Sequence, residues 1–299
     1  MKPNPHSVKL IKAPAKLNLR LKVIDRRPDG YHEIVSIMAP VALYDYLQLS
    51  KIQSGIKLIC RGIPVPDNEG NLIFRAAQIF FSSAGIKPGL FIKLAKNIPV
   101  AAGLGGGSSD AGCTLTALNE MFDSPFSHHE LLELAASLGA DVPFFLQSRP
   151  CIARGIGEIL EPIRKWLKFW YVIVKPPIKV STSWAYGNLK LQLTTGEYNY
   201  IRQYFGNNNF NILNILENDL EMVTASHFPV INKIKKTLTD AGAEGVLMSG
   251  SGPSVFGIFK SKKRALLAKK YHALQNFGDI FLVEGIGSAQ EAVLGQPPV

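Results

Sequence analysis

The sequence predicts an α+β protein of two domains. Its 299 residues suggest two units of about 150 residues each, a usual size for a domain. Strand and helix patterns alternate irregularly in both halves, which favours an α+β architecture over a doubly wound parallel sheet. With 46% hydrophobic and 19% charged residues, the composition is that of a globular protein with an ample core. We place the domain boundary between residues 1–156 and 157–299.

The first half begins with strand patterns and a turn. Val8–Ile11 and Leu17–Ile24 are predicted to be two strands, the second because apolar and polar residues alternate along it. The turn residues Arg26–Gly30 end the second strand. Apolar residues recur on one face of a predicted helix over Leu72–Ala84, and Phe91–Ala95 has the pattern of a strand.

Two further helices are predicted before the middle of the chain. The first covers Ser109–Met121. The second is expected to begin at a capping box formed by Ser127 and Glu130. Gly139 is expected to end this helix in the left-handed conformation, so that Asp141 follows a well-defined helix end.

The second half is predicted to begin around Gly157–Glu161 and to mix strands with helices. The predicted strands are Trp170–Lys175, Gly245–Met248 and Val255–Phe259, and the predicted helices are Pro229–Ala241, ended by Gly242, and Lys262–Leu274. The polar, Asn-rich region Gly196–Asn211 does not fit either pattern.

Several protein classes are disfavoured by the sequence. No apolar run approaches the roughly 18 residues that a membrane span needs, and residues 1–12 lack the apolar core of a signal peptide. The three cysteines, Cys60, Cys113 and Cys151, have no metal-type spacing. We therefore expect a cytoplasmic protein with reduced cysteines and no membrane partner.

The formal net charge of +10 suits an anionic ligand. The charge is spread along the chain, and no nucleic-acid recognition motif accompanies it. We therefore expect small anionic molecules rather than nucleic acid as partners. The oligomeric state is left open by the sequence.

Residues 98–110 form the most informative segment, because four glycines and two serines fall within seven residues between a strand pattern and a helix pattern. Glycine lets backbone N–H groups approach a phosphate closely, and a helix N-terminus favours an anion. The lysine of a Walker A loop is absent after Gly107, and the glycine-rich loop of protein kinases does not fit either. A flexible linker is disfavoured because the flanks are apolar. The predicted phosphate-binding residues are Pro99, Gly103, Leu104, Gly105, Gly106, Gly107, Ser108 and Ser109.

Two companion motifs give this loop a context. They are Ala13–Leu19 and Met248–Ser254, a second turn rich in glycine and serine. With these three motifs in this order, the chain resembles the GHMP kinases, which phosphorylate small molecules. The resemblance implies an ATP-binding N-terminal domain, a C-terminal domain that closes over an active-site cleft between the two, and the use of ATP and Mg²⁺.

Two further segments, Arg27–Glu33 and Leu138–Phe145, narrow the resemblance. They are similar to the branch that phosphorylates the 2-hydroxyl of 4-diphosphocytidyl-2-C-methyl-D-erythritol in the non-mevalonate isoprenoid route. Asp110 departs from members that have a neutral residue there, and we expect this change to be peripheral.

The resemblance implies a catalytic pair. Asp141 would be the general base that takes the proton of the acceptor hydroxyl, and Lys16 would keep it ionised and stabilise developing charge. The combination is sound because an ammonium group favours the charged form of a nearby carboxyl group. The alternative is that Asp141 caps a local turn and that Lys16 is an ordinary surface lysine.

Five residues are implied to bind the substrate. Asn18 shares a strand face with Lys16 and would hydrogen-bond the substrate. Tyr31 would stack on the cytosine and His32 would bind its edge, although such a pair is also common in surface packing. Thr182 and Tyr186 would complete the pocket, with Tyr186 opposite Tyr31, or else belong to a plain helix start.

The remaining implied contacts concern the nucleotide. Lys96 and Asn71 would face its adenine end. Ser249, Gly250, Ser251 and Gly252 would close over the phosphates, or form a tight hairpin without a ligand. No protein carboxylate is assigned to Mg²⁺, which often keeps water and phosphate ligands.

Two other functions remain open from the sequence. One is a kinase of the same superfamily for another small alcohol, such as homoserine or mevalonate, which would not need Tyr31 and His32 to bind cytosine. The other is a nucleotide-binding module without catalysis, in which Asp141 is structural.

Overall fold

The computed structural model describes residues 8–190, 196–206 and 211–287. The strands are β1 (Lys9–Arg26), β2 (His32–Lys51), β3 (Gly55–Gly62), β4 (Gly89–Lys96), β5 (Cys151–Arg154), β6 (Ile159–Pro162), β7 (Trp170–Lys175), β8 (Glu217–Asn218), β9 (Gly245–Met248), β10 (Val255–Phe259) and β11 (Asp279–Glu284). The α-helices are α1 (Leu72–Ala84), α2 (Gly106–Met121), α3 (His128–Leu138), α4 (Thr182–Gly187), α5 (Glu197–Gly206), α6 (Asp219–His227), α7 (Val230–Asp240) and α8 (Lys262–Lys269). Short 3₁₀ helices cover Pro143–Leu146, Ile212–Ile215 and His272–Asn276.

The strands form two sheets. The larger sheet has the order β3-β4-β2-β1-β8, and β2 also pairs with β5, which pairs with β6. The smaller sheet has the order β11-β7-β10-β9 and is antiparallel throughout. Antiparallel and parallel pairs are mixed in the larger sheet, because β3 runs parallel to β4 and β8 runs parallel to β1. The predicted α+β class is confirmed.

Apolar side chains are buried between these layers. One cluster joins the two sheets, where Leu19 of β1 and Tyr171 of β7 are both fully buried. A second cluster lies between the larger sheet and helices α1–α3 and includes Leu47 and Leu115. A third packs α6, α7 and α8 against the smaller sheet. The joint core fixes the two sheets relative to each other, and so fixes the loops that leave them.

Several local predictions are confirmed to the residue. The helix over Leu72–Ala84 and the strands Trp170–Lys175, Gly245–Met248 and Val255–Phe259 have the predicted bounds. Ser127 and Glu130 form the predicted capping box at the start of α3. These predictions succeed because the apolar pattern and the end signals of each element lie within its own short segment of sequence.

Three local predictions are wrong. The two predicted strands at the start of the chain are one strand, because β1 pairs with β2 along its whole length and passes Pro14 through a local irregularity in register. Gly139 has φ 161°, which is extended rather than left-handed backbone. The helix predicted over Lys262–Leu274 ends at Lys269, and a 3₁₀ helix follows.

The predicted domain boundary lies in the turn between β5 and β6, and both of these strands belong to the larger sheet. The boundary thus falls inside a hairpin of one sheet, and the division of the chain into two domains at residues 156 and 157 stays a prediction. Of the unassigned region Gly196–Asn211, residues 197–206 form α5, while residues 207–210 lie outside the described residues. Among the helices of the described ranges, none is long and apolar enough to cross a membrane.

The glycine loop packs directly on the loop that joins β9 to β10. The hydroxyl of Ser249 donates a hydrogen bond to the carbonyl oxygen of Gly103 at 2.9 Å. Gly103 has φ +74°, and a Cβ added there would lie 2.1 Å from the carbonyl oxygen of Ser249. A side chain at position 103 would therefore push the two loops apart.

We predict that Gly103→Ala destabilises the protein more than Gly85→Ala does. Both glycines have positive φ, which costs an alanine about 1–2 kcal/mol, but a Cβ at Gly85 would meet no atom within 4 Å. The overlap at position 103 adds about 1–3 kcal/mol. The free energies of unfolding in urea measure the difference. Equal losses for the two variants would show that the loops are not in this contact.

Candidate active site

A cleft of about 1250 Å³ lies where the glycine loop meets β1, the turn before β2, α4 and the loop after β9. Residues from both halves of the chain line it. The predicted site residues on its wall are Lys16, Asn18, Tyr31, His32, Asn71, Lys96, Pro99, Gly103, Gly105, Gly106, Gly107, Ser108, Asp141, Thr182, Tyr186, Gly250, Ser251 and Gly252. Most of the residues that the sequence nominated from distant segments are thus brought together.

The glycine loop turns sharply into α2. Gly105 precedes the helix with φ +69°, and a Cβ added to it would lie 2.9 Å from the Phe145 ring and 3.0 Å from Lys16 Cγ. The backbone N–H of Lys16 donates to the carbonyl oxygen of Leu104 at 2.9 Å. These contacts pack the loop against Phe145 and Lys16. At the helix N-terminus, Gly107 and Ser108 face the cleft. Such an end presents N–H donors and favours an anion.

Lys16 and Asp141 form an ion pair inside the cleft. Lys16 Nζ lies 3.2 Å from Asp141 Oδ2, and the Lys16 side chain is 5% exposed whereas that of Asp141 is 37% exposed. The ammonium group is thus fixed in the protein, and the carboxylate remains accessible to a ligand. A carboxylate so placed can accept a proton, and the ammonium can stabilise negative charge that develops beside it.

Asn18 lies behind this pair. Its amide oxygen accepts a hydrogen bond from Lys16 Nζ, and its amide nitrogen donates to the hydroxyl of Ser36 at 2.8 Å. Ser36 in turn donates to the backbone carbonyl of Arg20 at 2.7 Å. Asn18 therefore positions Lys16, and its expected contact with a substrate stays a prediction.

An aromatic stack forms another part of the cleft wall. The rings of His32 and Tyr186 are stacked, with centroids 5.0 Å apart and an interplanar angle of 29°. Tyr31 and Tyr186 line the same cleft, and the expectation that Tyr186 lies opposite Tyr31 stays a prediction. Tyr31 is 58% exposed in the same cleft, so its ring is available to a flat ligand.

Thr182 joins α4 to the loop after β9. Its hydroxyl is 3.0 Å from the hydroxyl of Ser251. Helix α4 begins at a Ser181 cap, which agrees with the alternative prediction of a plain helix start. The segment can be a plain helix start and also form part of the cleft wall. Thr182 and Tyr186 are four residues apart, so both lie on one side of the helix. Their contact with a substrate remains a prediction.

Three predicted ligand residues have buried side chains, and their contacts with a ligand stay predictions. Leu104 lies in the core between the two sheets, Ser109 is fully buried on α2, and the Ser249 hydroxyl bridges the two loops. These three residues are absent from the lining of the described cleft. Consecutive residues of a helix point about 100° apart, so the side chains of Ser108 and Ser109 point in different directions.

A buried charge cluster supports the floor of the cleft. Lys96 Nζ pairs with Asp45 and with Asp110, the latter at 2.7 Å, and all three side chains are almost fully buried. Asp45 also accepts a hydrogen bond from the backbone N–H of Ile98 at 2.9 Å. Asp110 is therefore a partner of Lys96 and not a peripheral change.

The charges of this cluster depend on one another. Burial disfavours the charged form of Lys96, but Asp110 and Asp45 outweigh burial and raise its pKa. Burial raises the pKa of Asp110 well above its usual value, against the attraction of Lys96. The sequence signal was available, since Lys96 ends a strand and Asp110 lies in the first turns of the next helix, but nothing in the sequence indicated Asp45.

Asn71 has a structural role at the start of α1. Its side-chain oxygen accepts a hydrogen bond from the backbone N–H of Ile73 at 3.0 Å, and its amide nitrogen donates to the carbonyl oxygen of Pro66 at 2.7 Å. It caps the helix at the edge of the cleft. Contacts of Asn71 and Lys96 with adenine stay predictions.

No protein metal cage is found in the described ranges, which contain no group of three or more His, Cys, Asp or Glu side chains placed to hold a metal ion. The cleft does offer Asp141 and an anion-binding helix end. This donor set fits Mg²⁺ that arrives with nucleotide phosphates and keeps water ligands.

Comparison with known proteins agrees with this geometry. Residues 71–149 match the GHMP kinases N terminal domain, and residues 193–278 match the GHMP kinases C terminal domain. A protein of Geobacter metallireducens named 4-diphosphocytidyl-2-C-methyl-D-erythritol kinase is 45% identical over 276 residues, which cover 91% of this chain and 96% of that protein. A protein of the same name from Syntrophotalea carbinolica is 44% identical and covers 92% of this chain and 98% of its own length.

Solved structures share the fold. A crystal structure of 4-(cytidine 5'-diphospho)-2C-methyl-D-erythritol kinase superimposes with a TM-score of 0.78 at 34% identity and covers 94% of this chain and all of its own. Homoserine kinase from Cytophaga hutchinsonii has a TM-score of 0.71 at 19% identity, covers 94% of this chain and 95% of its own, and shows the fold alone. The chain belongs to the GHMP kinase family. It is an ATP-dependent small-molecule phosphotransferase, as the sequence predicted.

We predict that His32 titrates below its ordinary pKa of 6.5. Burial, aided by the positive charge of Arg26, disfavours the protonated ring and lowers the pKa. The ring should therefore be mostly neutral at pH 6.5 and take up its proton only at lower pH. NMR titration of the imidazole resonances, assigned with His32→Gln, measures the midpoint. Arg26→Gln should raise it only partly, because burial is the larger cause; a midpoint at or above 6.5 in the unaltered protein would contradict the assignment.

Proposed function

We propose that the chain transfers the γ-phosphoryl group of ATP to the 2-hydroxyl of 4-diphosphocytidyl-2-C-methyl-D-erythritol, a step of the non-mevalonate route to isoprenoid precursors. The observation that carries the proposal is the Lys16–Asp141 pair, 3.2 Å apart, in a cleft that also holds the glycine loop and the aromatic stack. The names of the two relatives at 44–45% identity support the choice of substrate.

In the proposed reaction the acceptor oxygen forms a bond to the γ-phosphorus as the bond between that phosphorus and the β–γ bridging oxygen breaks. The proton of the acceptor hydroxyl passes to Asp141, and ADP leaves with the bridging oxygen. Phosphoryl transfer needs little covalent help from a protein and depends on position and charge. Asp141 supports this role because a third of its side chain is open to the cleft, beside an ammonium group that is itself held in place.

The phosphate groups would lie against the N-terminus of α2. Backbone N–H groups from Gly103 to Ser108 would bind them, with the Ser108 hydroxyl as a further donor. Lys16 would stabilise charge that gathers on the transferred group. Mg²⁺, when bound with ATP, neutralises part of the phosphate charge.

The cytosine would occupy the aromatic end of the cleft. Tyr31 offers an exposed ring for stacking, and His32 offers nitrogen atoms for the base edge, its orientation fixed by the stack with Tyr186. A lowered pKa supports a neutral His32, which can both donate and accept a hydrogen bond. Stacking tolerates any flat base, so the hydrogen bonds would select cytosine.

The two alternatives are less well supported. A kinase for homoserine or mevalonate would share the glycine loop, but the likeness to solved homoserine and mevalonate kinases is 13–20% in identity and concerns the fold. A module without catalysis would have no use for a fixed ammonium beside an accessible carboxylate in a cleft. A cytoplasmic location is kept as a prediction.

We predict that the purified protein with Mg²⁺ releases ADP from ATP only when the diphosphocytidyl substrate is added. The measurement is coupled ADP release together with ³¹P NMR of the phosphorylated product. Homoserine and mevalonate at equal concentrations serve as the comparison. Turnover of either one, with none of the cytidyl substrate, would replace this proposal with the first alternative; no turnover of any acceptor would favour the second.

We predict that Asp141→Asn lowers kcat by about 10²–10⁴-fold with little change in the dissociation constants of either ligand. Asparagine keeps the shape of aspartate but cannot accept the proton. Asp240→Asn is a matched control, because Asp240 pairs with Lys236 on the surface of α7. If Asp141→Asn kept more than about a tenth of kcat with chemistry rate-limiting, the general-base role would be wrong and catalysis would rest on position and charge.

A further inference from the structure

The larger sheet has a second face, opposite to helices α1–α3. Leu47, Leu94 and Leu58 are buried under the helices, so their neighbours in sequence point to the other side. The strand register places these neighbours in rows across four strands. One row is Leu10, Gln48, Lys93 and Ile59, and the next is Lys12, Tyr46, Ala95 and Arg61.

Ala95 makes a depression in this face. Its small side chain lies between those of Tyr46 and Arg61 on the two neighbouring strands. Neighbouring strands are about 4.8 Å apart, so these two longer side chains form the walls of a hollow whose floor is Ala95. The hollow has a volume of about 280 Å³, close to the lower end of the range for small-molecule pockets. Leu10 and Ile59, both about half exposed, form its apolar edges. We call this hollow the outer groove.

The charges around the outer groove are all positive. Lys12, Lys93 and Arg61 line it, and within the described ranges none of the three forms an ion pair with a carboxylate. Lys12 instead lies over the Tyr44 ring, 5.5 Å from its centroid, and Lys93 lies 5.6 Å from that of Phe91. The two rows contain no aspartate or glutamate. Three unneutralised cations around one hollow favour an anionic occupant.

We propose that the outer groove binds a small organic anion with a flat, apolar body, such as an aromatic phosphate or sulfonate. The flat body would lie on Ala95 between the phenol ring of Tyr46 and the guanidinium of Arg61, which both stack on planar groups. The anionic group would lie between Lys93 and Lys12 or Arg61. The amino-terminal residues 1–7 do not supply such a group, because their sequence holds a lysine and no carboxylate.

The outer groove is separate from the kinase cleft. The two lie on opposite faces of the sheet, and Leu94, in the strand between them, is the residue that their linings share. Binding in the outer groove should therefore persist when the cleft is filled. This makes the proposal independent of the substrate that the cleft accepts.

The test is calorimetric titration of the full chain with 2-naphthyl phosphate, in the presence of saturating Mg²⁺, a non-hydrolysable ATP analogue and the diphosphocytidyl substrate, so that both parts of the cleft are filled. We expect one saturable site that 2-naphthol or inorganic phosphate alone fills much more weakly. Lys93→Gln with Arg61→Gln should weaken binding by about two- to thirtyfold, as the loss of two exposed ion pairs would. Ala95→Leu should abolish binding by filling the groove while all cations remain.

Lys57→Gln is the matched control. Lys57 lies on the same face, in the next row beside Phe91, and outside the groove lining. It should leave the affinity unchanged, and the thermal midpoints of all variants show whether they are folded. Absence of saturable binding would overturn the proposal. So would an equal loss with Lys57→Gln, which would indicate diffuse attraction, or full binding by folded Ala95→Leu.

Discussion

The ammonium group of Lys96, buried between Asp45 and Asp110, holds together the elements on which the cleft is built. Lys96 ends β4, Asp45 lies on β2 and Asp110 lies on α2, so one cation joins two strands to the helix that follows the glycine loop. Asp45 also binds the backbone at Ile98, where the glycine loop begins. Breaking a buried pair by removing one partner typically costs about 3–5 kcal/mol. The position of the loop therefore depends on all three side chains.

The glycines of the loop complete what this cluster begins. A Cβ at Gly106 would lie 2.8 Å from Ile98 and 2.9 Å from Lys96 Nζ, and one at Gly105 would press on Phe145 and Lys16. The loop thus packs directly against the charge cluster and against Lys16, with no space between them. Its shape is set by the protein before a ligand arrives, and preorganised donors cost no rearrangement during reaction.

Short-range patterns were enough for much of the fold, whereas the members of the site were nominated by the resemblance of their segments to a known family. The bounds of α1, β7, β9 and β10 follow from apolar periodicity and end signals that lie within each segment. The glycine loop, Lys16 and Asp141 could be nominated because their segments carry motifs. The length of β1 could not be predicted, since its continuity past Pro14 depends on pairing with β2.

The sequence by itself therefore determined which chemical groups are present: a glycine-rich loop before a helix, a lysine, a carboxylate and two aromatic residues. Tertiary structure alone decided how they are used. It brought Lys16 to 3.2 Å from Asp141, placed Asn18 behind the lysine, and turned Ser109 into the core. It also made Asp110 a partner of Lys96. The physical reason is that the direction and burial of a side chain depend on neighbours from distant segments, which local periodicity does not contain.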